Sequence, residues 1–248
     1  MELTGKKIIV TGGVRGLGRA MVERLISNEA AVTVFDSNIV GLNELKERLP
    51  VNCVECDVSD FEQVSLATGK YHQEFGAADV LINNAGILYS EPLIRITPTG
   101  VVRHDPAMWQ KVLAADLNSV FYMTSCVVEK MITTRTKGVI VNISSVSASG
   151  NAGQSAYSAA KAAVNALTSV WAKELGAMGI RVVAVAPGFT ETISTKEAVS
   201  ETTLLDTVKR VPLRRLGKPE EIADGVLSSI RNDFFNGKVL ELDGGLIV

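Results

Sequence analysis

Apolar and polar positions follow two alternating regimes along this chain. Short runs rich in β-branched residues predict strands at Lys7–Val10, Ala31–Phe35, Val51–Cys56, Val80–Ile82, Gly138–Ile143, Arg181–Val185 and Lys238–Leu240. Longer stretches with helical spacing predict helices near residues 17–28, 39–48, 60–75, 106–134, 156–178 and 219–230. Strand and helix take turns, which reads as repeated βαβ units. Right-handed crossovers then lay helices on both faces of one sheet. The expected fold class is α/β, with a doubly wound, seven-stranded parallel sheet. No Pro/Gly/Ser linker, repeat or low-complexity tract divides the chain, so one domain over 1–248 is expected.

Two stretches break the pattern. Residues 87–105 hold two prolines and little periodicity, and end at Asp105-Pro106, a pair suited to cap a helix and open its first turn. Residues 188–216 follow Pro187-Gly188 and are rich in threonine. Long irregular segments inside a compact domain are usually functional.

Composition narrows the function class. Apolar residues make up 46% of the 248, enough for a sheet buried on both faces. The net charge of −2 argues against nucleic acid or a membrane surface as partner, since both need a basic field. The start runs straight into Ile8-Ile9-Val10, too short for a secretory h-region. No apolar run approaches a membrane span. Three cysteines (Cys53, Cys56, Cys126) are too few for a disulfide scaffold, and a reducing cytoplasmic location is expected.

The first strand runs into Thr11-Gly12-Gly13-Val14-Arg15-Gly16-Leu17-Gly18 and then a helix. Glycines let backbone N–H groups approach a pyrophosphate, and a helix N-terminus adds partial positive charge. The spacing is G-x-x-x-G-x-G, and a plain strand-to-helix turn would also use glycine. The second strand ends at Asp36, about 20 residues past the glycines, where an acid suits the ribose hydroxyls of NAD and repels a 2′-phosphate. Arg15 pulls the other way, because a guanidinium there can pair with the 2′-phosphate of NADP. Asp36 is weighed more heavily, so NAD(H) is favoured and NADP(H) stays open.

With these marks the sequence resembles the short-chain dehydrogenase/reductase family, and within it the 3-oxoacyl-(acyl-carrier-protein) reductase type. The likeness covers nearly the whole chain. It rests on Thr11-Gly12-x-x-x-Gly16-x-Gly18, Asp57-Val58, Asn83-Asn84-Ala85-Gly86, Ser144-Ser145, Tyr157-x-x-x-Lys161, Pro187-Gly188 and Asp243-Gly244-Gly245, in that order. The resemblance implies a Rossmann fold and an NAD(P)(H)-dependent oxidoreductase that moves a hydride between nicotinamide and a ketone or secondary alcohol. It implies that Asp57 and Val58 contact the adenine and that Asn84, Ala85 and Gly86 line the ribose path. Pro187, Gly188, Thr190 and Thr192 would lie along the nicotinamide. Residues 188–216 would form the substrate lid, with Phe189, Ile193, Leu204 and Leu205 as apolar walls.

The chemistry centres on Tyr157 and Lys161, which share a helix face at i, i+4. A free phenol titrates near 10 and is a poor acid or base at neutral pH. An adjacent ammonium lowers that value, so Tyr157 can act as general acid or base. By resemblance Lys161 also holds the nicotinamide ribose. A serine would hydrogen-bond the substrate oxygen as charge develops on it. Counting forward through the fifth strand points to Ser145; counting back from Tyr157 by the family's usual spacing points to Ser144. Ser145 is taken as the catalytic one.

One position departs from the family. Where it usually carries an asparagine in the helix after residue 105, this chain has Asp116. Asp116 keeps an acceptor but cannot donate unless protonated. A carboxylate near Lys161 is expected to leave activity intact with a shifted pH profile.

Other features read as structural. Cys53-x-x-Cys56 sits in a strand with no second ligand pair, so no metal is expected. His72 and His104 read as surface groups. Leu167, Trp171 and Leu175 form a buried helix stripe. By resemblance that helix and the 106–134 helix form a subunit interface, which implies a homotetramer; the apolar tail Val239 to Val248 would also pack on a neighbour. The substrate is a small carbonyl/alcohol or an acyl thioester, with an acyl carrier protein as a candidate partner. Arg135 and Lys137 suit such a carrier, but Met178 replaces the basic residue common in those reductases. An NAD-dependent dehydrogenase of a 3-hydroxyacyl-CoA or small secondary alcohol is the alternative. A non-catalytic dinucleotide-binding regulator is the alternative from another class, opposed by the presence of Ser145, Tyr157 and Lys161.

Overall fold

A computed structural model describes residues 1–193, 195 and 201–246, the side chains of 201–203 excepted. The strands are β1 (Lys7–Thr11), β2 (Ala31–Asp36), β3 (Asn52–Glu55), β4 (Val80–Asn83), β5 (Ile94–Thr97), β6 (Gly100–Arg103), β7 (Gly138–Ile143), β8 (Ile180–Pro187) and β9 (Val239–Leu242). Seven of them form one sheet in the order β3-β2-β1-β4-β7-β8-β9, every pair parallel. The strand order reverses between β1 and β4. A doubly wound sheet opens a crevice at that point, outside the carboxyl ends of its strands.

The helices are α1 (Gly16–Ser27), α2 (Ile39–Arg48), α3 (Phe61–Phe75), α4 (Pro106–Leu113), α5 (Ser119–Thr133), α6 (Ser155–Leu175), α7 (Glu201–Arg210) and α8 (Pro219–Arg231). Successive strand residues point to opposite faces, and each face carries its own core. Ile8, Val10, Val34 and Val141 pack against α1, α2 and α8 through Met21, Leu25, Leu45, Val226 and Ile230. Ile9, Phe35, Leu81 and Ile140 pack against α3, α5 and α6 through Tyr71, Met123, Val127, Val164 and Trp171. This two-sided burial is why the strands read as continuous apolar runs.

A buried polar ladder ties the second layer to the sheet. Asn83 Nδ2 donates to Thr124 Oγ1 and to Asn142 Oδ1, each at 2.9 Å, and Asn142 Nδ2 donates to Thr168 Oγ1 at 2.9 Å. Buried amides need such partners. The ladder joins β4 and β7 to α5 and α6, and so sets the helix that carries Tyr157.

The expected seven strands and their order of appearance are found. The two irregular stretches contain more structure than the pattern suggested. Residues 94–103 form an antiparallel hairpin, β5-β6, apart from the main sheet, and α7 lies within the 188–216 segment. Asp105 accepts from Ala107 N at 2.9 Å, with Pro106 in the first turn of α4, as the dipeptide predicted. The single helix expected over 106–134 is interrupted by a π-helical turn at Ala114–Asn118. His104 corrects the surface reading: its side chain is only 7% exposed, packed edge-on against Tyr89 and Trp109. His72 is half-buried, with Nδ1 3.1 Å from Gly76 O. Cys53 lies in β3 and Cys56 just beyond it; both are free, as is Cys126. Among the described residues no group of acids, histidines and cysteines could hold a metal ion, and no helix is long and apolar enough to cross a membrane.

Candidate active site

A cavity of about 810 Å³ runs along the carboxyl ends of β1, β2, β4, β7 and β8. Ligand clefts typically fall in this size range. Every residue singled out from the sequence as a catalytic or cofactor-binding group lines it.

At one end lies the glycine turn. The N-terminus of α1 opens after Arg15 without a side-chain cap, so its first N–H groups are left for a ligand. A Cβ at Gly18 would collide with the Gly12 carbonyl and the Asn84 amide, so only glycine lets helix and strand meet there. Thr11 Oγ1 receives the N–H groups of Asn84 and Ala85, both at 3.0 Å. Asn84 Nδ2 in turn donates to Thr11 O and Gly12 O, both at 3.0 Å. The motif after β4 therefore acts in part by bracing the turn after β1.

Asp36 closes this end. Its carboxylate accepts from Asn38 N at 3.0 Å and Val14 N at 3.3 Å. Arg15 is exposed on the rim. Asp57 accepts from Ser59 N and Oγ, at 2.9 and 2.7 Å, which turns the chain so that Val58 lines the cavity. An uncapped helix end, a backbone cradle and an acid one strand away fit a dinucleotide.

At the other end, Tyr157 and Lys161 project from α6. Lys161 is buried; its Nζ donates to Ile143 O at 3.0 Å and sits 5.6 Å from the centre of the Tyr157 ring. Asp116 is fully buried on the π-helical turn. Its Oδ2 accepts from Ile87 N at 3.0 Å, and its Oδ1 lies 3.2 Å from Lys161 Nζ as an ion pair rather than an aligned hydrogen bond. A Cβ on Gly86 would strike that Oδ1, so glycine here makes room for the carboxylate.

The two serines differ. Ser144 Oγ turns toward Lys161 O at 3.4 Å, and its N donates to Val185 O at 2.8 Å. Ser145 faces the Tyr157 phenol and favours its ionised form, and its Oγ accepts from Ser147 N at 3.1 Å. Burial is the largest influence on the Tyr157 phenol and holds it above its ordinary value. Lys161 and Ser145 work downward, and Asp116 adds to the rise. The sequence anticipated Lys161 and a shift from Asp116 but not the dominant influence of burial, which is set by the packed structure. Lys161 is held above its ordinary value; burial opposes its charge, but Asp116 and Tyr157 together outweigh it.

Pro187, Gly188, Thr190 and Thr192 form the wall after β8. Thr192 Oγ1 lies 2.8 Å from Thr195 Oγ1. Phe189 lines the cavity, but Ile193 and Leu205 are exposed and, like Leu204, form no part of its wall. Positions 194 and 196–200 of the expected lid, and Ile247 and Val248 of the tail, lie outside the described residues. Gln154 and Lys111 are among the wall residues that escaped the sequence reading. Gln154 is buried and donates to Ser90 Oγ at 3.0 Å. Lys111 lies on the wall side of α4, and no motif in the sequence marks it.

This fold and this pair of cavity ends define a nicotinamide-dinucleotide-dependent oxidoreductase. The comparisons agree. The short chain dehydrogenase family matches residues 6–203. A 3-oxoacyl-[acyl-carrier-protein] reductase of Thermotoga maritima is 39% identical, covering 100% of both chains. A 3alpha-hydroxysteroid dehydrogenase of Mediterraneibacter gnavus is 37% identical, covering 98% of both. The crystal structure of a 3-ketoacyl-(acyl-carrier-protein) reductase from Brucella melitensis complexed with NADH superposes with a TM-score of 0.85 at 26% identity, covering 98% of both. The chain belongs to the short-chain dehydrogenase family.

Proposed function

We propose that this chain interconverts a 3-oxoacyl thioester and its 3-hydroxy form with NAD(H). The carrying observation is that Tyr157, Ser145 and Lys161 meet at one end of a cavity whose other end is closed by Asp36. In reduction the Ser145 hydroxyl holds the carbonyl oxygen, and Tyr157 O–H passes its proton to that oxygen. The Lys161 ammonium stabilises the phenolate left behind. The bound nicotinamide supplies or accepts the hydride. Oxidation runs the same proton transfer in reverse, with the Tyr157 phenolate as base. Since burial holds Tyr157 above the ordinary phenol value, the proton-donating form persists through neutral pH, and oxidation gains as pH rises into the alkaline range.

The substrate class is supported by the names of the Thermotoga and Brucella relatives. An acyl carrier protein is the partner they suggest, and exposed Arg135 and Lys137 suit its acidic surface. A second reading, oxidation of another secondary alcohol, draws on Asp36, on exposed Met178 where a basic group would serve a carrier, and on the hydroxysteroid relative. We read residues 1–248 as one cofactor-binding and catalytic domain working in the cytoplasm, with 188–216 as its lid. A homotetramer is supported by a shallow apolar groove between α5 and α6, where Phe121 and Val170 stand exposed.

Separate titrations with NADH and NADPH, followed by nicotinamide fluorescence, test the cofactor assignment. NADH is expected to bind about tenfold tighter or better, the scale of one unfavourable charge contact. NADPH binding as tightly or more tightly removes Asp36 as the discriminator. Binding neither overturns the reading as a whole.

A further inference from the structure

We propose that Asp116 is a positioning residue whose carboxylate, held against Lys161, keeps Tyr157 in its phenol form and so biases the site toward giving a proton to a carbonyl. The inference rests on the functional reading above, and adds the direction in which this one departure from the family acts.

The geometry identifies the ionised form of Asp116. One carboxyl oxygen accepts the Ile87 N–H at 3.0 Å, and the other faces the Lys161 ammonium at 3.2 Å. A carboxylic acid would have to aim its own O–H at one of these two donors. Burial works against the carboxylate, but both oxygens are placed to accept. The position is also built for it: the π-helical turn brings Asp116 inward, and Gly86 leaves the space its Oδ1 occupies.

The surrounding charges are few. From α6 come Lys161 and Tyr157. The segment after β4 offers the Ile87 amide, β7 the Ile143 carbonyl, and α4 the exposed Lys111 farther along the cavity wall. Asp116 and Lys161 cancel each other. Ionising Tyr157 would therefore leave a net negative charge in a buried site. With a neutral amide at 116, the whole charge of Lys161 would be free to support the phenolate. One unit charge a few ångströms away at an effective dielectric near 20 moves a titration by about one pH unit or more.

The test is a tyrosinate absorbance titration of the full chain by pH jump, so that the reading precedes alkaline unfolding. The Tyr157→Phe chain identifies which part of the signal belongs to Tyr157. Asp116→Asn is expected to lower the Tyr157 midpoint by about one pH unit or more, and to move the rising limb of alcohol oxidation the same way. Asp116→Ser, smaller and neutral, should move the midpoint in the same direction and replaces the asparagine variant if that one does not fold. A Tyr157 midpoint that stays put or rises in the neutral variants overturns the proposal. Because the absorbance arm needs no turnover, a chain that titrates as expected but converts no substrate would refute the functional reading and leave this inference standing.

Discussion

The two ends of the cavity are built from different materials. The nucleotide end is made of strand termini and main chain: an uncapped helix, a turn that admits only glycine at 18, and the Thr11–Asn84 brace. The other end is bordered by side chains from segments outside the sheet: Ile87 and Leu88 after β4, Gln154 before α6, and Phe189, Thr190, Thr192 and Thr195 after β8. Away from the cavity, the β5-β6 hairpin exposes Ile96 at 84% and Val101 at 67%. Among the described residues it pairs with no other strand. A cradle of backbone groups recognises what all members of a family share, the cofactor. Side chains on loops can be exchanged without disturbing the sheet, so specificity commonly varies on such segments. The side chains proposed to be catalytic stand at the junction, on α6 and at the end of β7.

The sharpest break comes at that junction. Tyr157→Phe removes the oxygen that gives the proton in reduction and takes it in oxidation, and leaves the backbone cradle untouched. Turnover is expected to fall by about 10²–10⁴-fold, while NADH affinity stays within about twofold. Steady-state rates beside a fluorescence titration read both. A comparable loss of NADH binding would mean that the two ends are not separable.

Next in size is a break at the nucleotide end. Gly18→Ala places a Cβ against the Gly12 carbonyl and the Asn84 amide. Overpacking of this kind typically costs about 1–3 kcal/mol, so NADH affinity is expected to drop by about fivefold to a hundredfold. Thermal unfolding without ligand separates lost binding from lost folding. An unchanged dissociation constant would show that the turn can shift without consequence.

The same division explains what could be read from the chain in advance. The strands, the glycine turn, Asp36 and the Tyr157–Lys161 pair were legible because each rests on local spacing. The hairpin was not, although Ile94, Ile96, Val101 and Val102 flank a Pro98-Thr99-Gly100 turn. Its apolar residues face solvent, and the pattern of a half-buried strand assumes a core to face. The π-helical turn at Ala114–Asn118 leaves no periodic trace, because five residues are too few to shift a helical register visibly. Asp116 was noticed as a departure, but its distance to Lys161 and the glycine that admits it are tertiary facts. The upward push on Tyr157 is likewise a product of burial, which no i, i+4 spacing reports.

The smallest effect concerns how the substrate end is fastened. Just beyond the 188–216 segment, Glu221 in the first turn of α8 binds Arg215 through two contacts, at 2.6 and 2.7 Å, and accepts from Lys218 N at 2.8 Å. These bonds hold its carboxyl near 2, against an ordinary value of 4.5. A folded-state value below the unfolded one stabilises the fold above about pH 4.5 and loses that contribution as pH falls toward 2. The group is exposed, so the contribution is modest and screened by salt. Glu221→Gln is expected to lower the melting temperature at neutral pH by a degree or two, roughly the scale of a surface ion pair. The gap between variant and parent should narrow with added salt and close as pH falls below 4.5. NADH affinity should not change, because the nucleotide end has no part in this tie. A melting-temperature gap that persists through acid and high salt would show that the segment is held by packing instead, and the contrast between a backbone-built cradle and a side-chain-fastened border would lose its basis.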